Sequence, residues 1–385
     1  MVNMLLCKEA SKPCAAVVSL HFSPAHISHM TAYGKLLDAL GYAVIFYLDD
    51  NYLRFTEFSD VGTPLSRTKP IPDGLKIAIF YNSAAQNPTV AARMKASGAT
   101  VLYVFHEPLS FWDWNYMRTE GLRQNLRFQV SVFFSIRLLR QCSVVIVPSE
   151  YAREQYEENY ARHNPNIFTM PLLFHDEVEP ERITAGFPEK KFFGFIGSVG
   201  KGHGFDWFVE FAKYAIRSGS TIPFKIATRT DLTNLFRNDE EFAHYAKDGK
   251  IQVQHGHMLS NSEINEHYLS CFCVWNVYRR STQSGVLPRC FMAGTPVLAS
   301  RIGSFPEFVQ QGLTGEFVDY SEGLPRMLEV AEIIRNRFPV YSQQCRNAFL
   351  RTFHYKANAS RLAAVLNRIC PQERGLNANG LGSIL

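Results

Sequence analysis

Two short segments hold side chains suited to gripping a phosphate. "FIGSVGKGHGFDWF" (195–208) runs from an apolar strand pattern through Gly197, Ser198, Gly200, Lys201 and Gly202 into a helix pattern. Glycine lets the backbone come close to a ligand. Lys201 offers a cation, and the helix beginning near Gly204 offers unused N–H groups. The segment matches neither GxxxxGK followed by Ser or Thr nor GxGxxG. "STQSGVLPRCFMAGTPVLAS" (281–300) reads as a polar loop, a helix closed by Gly-Thr-Pro, and a strand. Ser284 is expected to cap that helix, with Gly285, Val286 and Leu287 in its first turn and Pro288 tolerated there. Gln283, the Ser284 hydroxyl and successive backbone N–H groups would then converge on an anion, helped by the helix dipole. These twenty residues contain no carboxylate, which would repel a phosphate. With Tyr278, Arg279 and Arg280 just upstream, the two segments predict a diphosphate site.

Three histidines form a second group. His106 closes the strand pattern "YVFHEP", and a neutral imidazole there can hydrogen-bond a hydroxyl or a reacting oxygen. Glu107 is adjacent but on a strand would point the other way. His26 and His29 lie in "FSPAHISHM", after the first strand pattern, where they could hold a second substrate or stabilise negative charge. They stand three apart with no third ligand in the motif, so no zinc site is predicted. Ser149, after "VVIVP", reads as a helix cap.

These groups are carried by strand–loop–helix units. "CAAVVSLHF", "AVIFYLDD", "LKIAIFYN", "ATVLYVFHE" and "SVVIVPSE" are apolar, β-branched and nearly continuous, with helix patterns between them. Such runs predict parallel strands covered on both faces. Residues 51–74 read as an irregular excursion, and 167–191 as polar and linker-like. A second series of the same kind begins at "FFGFIGSVGKG", and a helix pair over about 323–369 closes it. The fold class predicted is α/β, with two doubly wound Rossmann-like domains facing a cleft. Ligands in such folds bind outside the carboxyl ends of the strands. Every segment singled out above falls at such an end.

Composition narrows the function. The chain has 385 residues, a formal charge of +5 and 46% hydrophobic residues. That is enough apolar mass for two cores, and too mild a charge for a nucleic-acid binder. Eight cysteines, none in a CxxC pair and most in apolar runs, predict buried free thiols. The N-terminus lacks the pattern of a signal peptide. No apolar run is long enough to span a membrane, so a cytoplasmic protein is expected. Arg118, Arg123, Arg127, Arg137 and Arg140, interleaved with Trp112, Trp114, Phe128, Phe133 and Phe134, suggest peripheral contact with an anionic membrane. The alternative for that stretch is a core-packed helix with a solvated basic face.

The segments "GSVGKG" and "NVYRRSTQSGVLPRCFMAGTPVLASRIGSFPEFVQQGLTGEFVDY" resemble the C-terminal half of retaining GT-B glycosyltransferases of the group 1 family. The resemblance covers about 190–320, including "IGSFPEFV" and "GLTGEFV"; the first domain matches in layout. It implies a nucleotide-diphosphate sugar as donor substrate, no further cofactor and no metal. It implies transfer with retention to a glycan or lipid-linked acceptor, in bacterial surface polysaccharide or lipopolysaccharide assembly. Lys201 falls on the family's phosphate-binding lysine, and Ser198 stands where an arginine is usual. Gly285 and Val286 fall near the donor-loop glycine. Arg289 and Ser281 occupy the positions of the two glutamates of the E-x7-E pattern, as in a subgroup with T-Q-S-G-V-L. The implied catalytic residues are His106 and Lys201. Implied donor contacts are Gly197, Ser198, Lys201, Tyr278, Arg279, Gln283, Ser284, Gly285, Val286 and Arg289; implied acceptor contacts are His26 and His29. The domains expected are an acceptor-side domain 1–175, a linker 176–191 and a nucleotide-sugar domain 192–350. A helix at 351–370 is expected to return to the first domain, ahead of a disordered tail 371–385. Two other readings stay open. One is a glycosyltransferase-like subunit that binds without turnover, favoured by the missing acids. The other is a sugar-nucleotide epimerase or phosphorylase on the same double fold.

Overall fold

The computed structural model describes residues 12–109, 121–184, 190–281 and 283–370. The first eleven residues, Trp112, Trp114, Arg118 and the tail 371–385 lie outside the described residues. One unit takes the chain up to His175 and again from Thr352; the other is Asp176–Arg351.

The first unit is built from β1 (Cys14–Ser19), α1 (Ile27–Ala39), β2 (Ala43–Leu48), β3 (Thr63–Ser66), β4 (Leu75–Phe80) and α2 (Asn87–Ala96). It continues with β5 (Thr100–Val104), α3 (Leu122–Leu139), β6 (Val144–Val147), α4 (Glu150–Asn159) and β7 (Ile167–Thr169). All seven strands are parallel, in the order β3-β2-β1-β4-β5-β6-β7. Along β1 the side chains alternate between two apolar clusters. Cys14, Ala16 and Val18 enter one, and Ala15 and Val17 the other. A strand buried on both faces cannot show a polar alternation, which is why these runs are continuously apolar. Ser149 caps α4, accepting the Ala152 N–H at 3.0 Å.

Two strands depart from the sequence reading. β3 falls inside the stretch read as irregular; it is a short edge strand, where Pro64 costs no ladder bond. β7 falls inside the stretch read as a linker and completes the other edge beside β6.

The second unit contains α5 (Pro180–Thr184), β8 (Phe192–Ile196), α6 (Phe205–Arg217), β9 (Phe224–Ala227), α7 (Thr233–Asn238), α8 (Glu240–Lys247) and β10 (Ile251–Gln254). Then come α9 (Asn261–Leu269), β11 (Cys271–Asn276), α10 (Val286–Met292), β12 (Val297–Ala299), α11 (Phe305–Phe308) and β13 (Gly315–Phe317). The helices α12 (Gly323–Asn336) and α13 (Phe338–Ala348) close it. Its six strands are parallel, ordered β10-β9-β8-β11-β12-β13. The chain then returns to the first unit as α14 (Ala359–Ile369), whose Ala359, Leu362 and Leu366 join the cluster around Met30, Leu36 and Ile79.

The order of each sheet reverses once, between β1 and β4 and between β8 and β11. Loops leaving adjacent strands there diverge and leave room for a ligand. Cys142, Cys271, Cys273, Cys290 and Cys345 are buried free thiols, as expected. Cys14 departs from the expectation, being disulfide-bonded. No helix among the described residues is long and apolar enough to cross a membrane.

Candidate functional site

At the switch point of the first unit, a hydrogen-bond hub shapes the loop after β1. The Tyr52 hydroxyl accepts the Ser23 N–H at 2.7 Å. Asn82, just after β4, donates to Ser19 Oγ at 2.9 Å and to the His21 carbonyl at 3.2 Å. This fixes the approach to α1, and with it His26 and His29. The two rings meet His106 from the end of β5. His26 stacks on His106 with centroids 5.3 Å apart, and His29 lies 6.3 Å from it. Tyr81, at the end of β4, packs against all three, at 5.4, 6.0 and 4.4 Å from His26, His29 and His106. The three histidines of the sequence reading therefore form one cluster.

Their chemistry differs. His29 Nδ1 lies 3.1 Å from the Leu173 carbonyl, so that nitrogen carries the proton. Burial, reinforced by the charges of His26 and His29, pushes the His106 imidazole well below its ordinary 6.5. It is neutral at pH 7. Its Nε2 and the Tyr81 hydroxyl are buried with no hydrogen-bond partner among the described residues. Leaving such atoms unpaired costs about 1–3 kcal/mol each, a cost that a hydroxyl reaching either atom would relieve. Tyr81 was missed from the sequence because it reads as one more apolar strand residue in "LKIAIFYN".

At the second unit's switch point, the loop after β8 turns on two glycines of positive φ. They are Gly197 (132°) and Gly204 (63°). A Cβ on Gly204 would overlap the Val277 carbonyl, so only glycine lets this loop sit against the one after β11. The Gly202 carbonyl accepts the N–H groups of Arg279 (2.9 Å) and Arg280 (3.3 Å), which ties the two loops together. Arg279 adds a side-chain tie, donating to the Lys201 carbonyl at 2.6 Å and forking onto Asp206 at 2.7 and 2.6 Å. Its guanidinium lies 3.9 Å over Trp207. Burial would raise the Asp206 carboxyl, but the bonds and charge of Arg279 outweigh it and hold it below the usual range.

The loop after β11 differs from its sequence reading at one point. Gly285 occupies the N-cap of α10 and no side chain caps the helix. The Ser284 Oγ instead takes the Val286 N–H, two residues on, at 3.3 Å. It also bonds the Tyr278 hydroxyl. A hydroxyl engaged in this local turn is withdrawn from a capping geometry. Tyr278 is buried against His203 and Phe305, with ring centroids 4.9 and 5.4 Å away. Behind the loop stands Gly303, φ 53°, where a Cβ would overlap the Ser281 carbonyl.

The donor-side residues of the sequence reading thus sort into two groups. Tyr278, Arg279 and Arg289 are committed to protein partners. Arg289 is only 8% exposed and donates to Glu177 (3.2 Å), Asn265 (2.9 Å) and Asn261 (2.9 Å). It braces α9 and α10. Gly197, Ser198, Lys201, Gln283, Gly285 and Val286 line the two loops. Ser198 and Lys201 are exposed, and Lys201 has no carboxylate within ion-pair distance among the described residues. The N–H groups of Ser198, Val199, Gly200, Gln283, Ser284 and Gly285 meet no acceptor among the described residues. Backbone donors and an exposed ammonium of this kind are groups that can hold an anion. No group of three or more metal-ligating side chains occurs among the described residues.

No protein-family profile and no curated protein matches the chain. Solved structures do. A glycosyltransferase from Rickettsia africae ESF-5 superposes with a TM-score of 0.67 at 13% identity, over 94% of this chain and 99% of that one. Anabaena HepE in complex with UDP gives 0.65 at 12% identity, over 92% and 100%. Sucrose-phosphate synthase from Thermosynechococcus elongatus gives 0.68 at 15% identity, over 94% and 100%. The chain has the fold of these proteins: two Rossmann-like parallel-sheet units, the GT-B glycosyltransferase fold.

Proposed function

We propose that the protein is a retaining glycosyltransferase that takes a sugar from a nucleotide-diphosphate sugar. The observation that carries this reading is the set of unspent backbone donors and the exposed Lys201 ammonium. When the C1–O bond to the donor phosphate breaks, negative charge grows on the leaving diphosphate. Lys201 and the two runs of N–H groups stabilise it, which needs no metal at this position. Preorganised donors of this kind are commonly the largest catalytic contribution. The acceptor hydroxyl forms the new bond to C1, and its proton passes to the departing phosphate oxygen. The absence of any carboxylate from residues 281–300 supports that route over an enzymic base. In the first unit, neutral His106 and Tyr81 are suited to hydrogen-bonding sugar hydroxyls, with His26 and His29 beside them as the proposed acceptor contacts. Solved relatives of this fold bound to UDP support a nucleotide donor. The acceptor we propose is a glycan or lipid-linked sugar of bacterial surface polysaccharide or lipopolysaccharide synthesis. Proton NMR of the first product tests retention: the new anomeric linkage should have the configuration of the donor, and an inverted linkage would overturn this mechanism.

A cytoplasmic enzyme working at the membrane surface is part of the same reading. Along α3, Leu122, Leu126, Val130 and Phe133 are 73%, 55%, 57% and 54% exposed. Their spacing places them on one helix face. Arg137 and Arg140 continue that face and Arg123 and Arg127 flank it, all exposed. An apolar stripe edged by cations fits an anionic bilayer surface. The protein should float with vesicles containing phosphatidylglycerol and not with neutral phosphatidylcholine vesicles. Leu126→Glu/Phe133→Glu should abolish flotation, and flotation unchanged in that variant would contradict the docking face.

A further inference from the structure

In the second unit a cavity of about 660 Å³ opens where β11, β12 and β13 end, beside Trp207 of α6 and Arg326 of α12. That volume falls in the range of roughly 300–1,000 Å³ common to ligand sites. Lys201, Ser198 and Gln283–Gly285 do not line it. One wall is a pair of parallel rings: Tyr320 stacks on Trp207 with centroids 4.0 Å apart and planes 8° from parallel. Tyr320 keeps 38% exposure, and its hydroxyl meets no partner among the described residues.

The cavity's charges are unequally committed. Arg279 is forked onto Asp206, and Arg326 pairs with Glu329 at 2.8 Å. Asp319 accepts from the Ser321 N–H and hydroxyl, and Glu322 accepts the Asp319 N–H, so both acids are occupied in local turns. Arg301 is the exception. Its guanidinium lies over Phe317 at 4.3 Å and gives one bond to Gln311, at 2.8 Å. No carboxylate among the described residues lies within ion-pair distance of it. A planar guanidinium held in place and still holding unspent N–H groups matches a carboxylate in bidentate fashion. A partly exposed aromatic ring can take the C–H face of a pyranose.

We propose that this cavity is a second saccharide site, taking an acidic sugar unit of the uronate class, with the carboxylate on Arg301 and the ring on Tyr320. It goes beyond the transferase reading and does not depend on turnover at the phosphate loops. The test is saturation-transfer NMR on the full chain with two probes of matched shape, sodium glucuronate and glucose. Glucuronate should bind the wild type more tightly than glucose. Arg301→Gln should weaken glucuronate about tenfold, the order of one charge-assisted contact, and leave glucose unchanged. Tyr320→Ala should weaken both. Lys201→Ala should leave glucuronate binding as it is, which separates this site from the phosphate loops. The proposal is overturned if glucuronate and glucose bind alike, if neither gives saturation transfer, if Arg301→Gln changes nothing, or if Lys201→Ala removes the glucuronate signal.

Discussion

Lys201→Ala should lower sugar transfer by roughly 10²–10³-fold while leaving the melting temperature unchanged. The size is that of one preorganised donor removed from a developing oxyanion, about 3 kcal/mol. The melting temperature should hold because the side chain is exposed and pays into no ion pair among the described residues. The loop itself is kept by other groups: Gly204 under the Val277 carbonyl, and Arg279 bonded to the Lys201 carbonyl rather than to its side chain. Release of nucleoside diphosphate from UDP-glucose, GDP-mannose, ADP-glucose and TDP-glucose, compared between the two proteins, measures it. A variant as active as the wild type would remove Lys201 from the mechanism.

Gly303→Ala should act on stability and binding together. Gly303 has φ 53°, which costs an L-residue about 1–2 kcal/mol. Its Cβ would also overlap the Ser281 carbonyl, which is backbone and cannot swing aside. The polar loop that supplies the Gln283, Ser284 and Gly285 donors must then move. A total of about 3 kcal/mol is expected, a large effect for one methyl group. Gly312→Ala is the matched control. Its φ is 79°, but a Cβ there meets nothing within 4 Å. It should lose only the conformational part and keep nucleotide affinity. Equal losses in the two variants, read by thermal unfolding with and without nucleotide, would show that the Ser281 contact does not shape the site.

How much of this was legible in the sequence depends on what each feature rests on. Parallel sheets show in continuously apolar runs, because strands covered on both faces have no polar side to display. Glycines and a lysine after a strand show because loop chemistry is local in the chain. His26, His29 and His106 could be placed at strand ends, but their meeting at Tyr81 is a product of strand order. The fate of the arginines was the least legible part. Arg279 and Arg289 were both expected to contact the donor. Their acids, Asp206 and Glu177, lie 73 and 112 residues away in the chain, so the pairing exists only in the fold. Ser284 misled for a smaller reason, since a hydroxyl before a helix can cap it or turn back on its own loop. β3 was hidden by Pro64, which reads as a strand breaker and is tolerated at an edge.

The central claim is that the loops after β8 and β11 hold a nucleoside diphosphate. Thermal unfolding of wild type and Lys201→Ala with UDP, GDP, ADP, TDP and CMP tests it most directly. Ligand at a hundred times its dissociation constant should stabilise the fold by about 2.7 kcal/mol. The account predicts that one nucleoside diphosphate stabilises the wild type, that CMP does not, and that the same diphosphate leaves Lys201→Ala unmoved. No shift with any of the five, or equal shifts in both proteins, would contradict it.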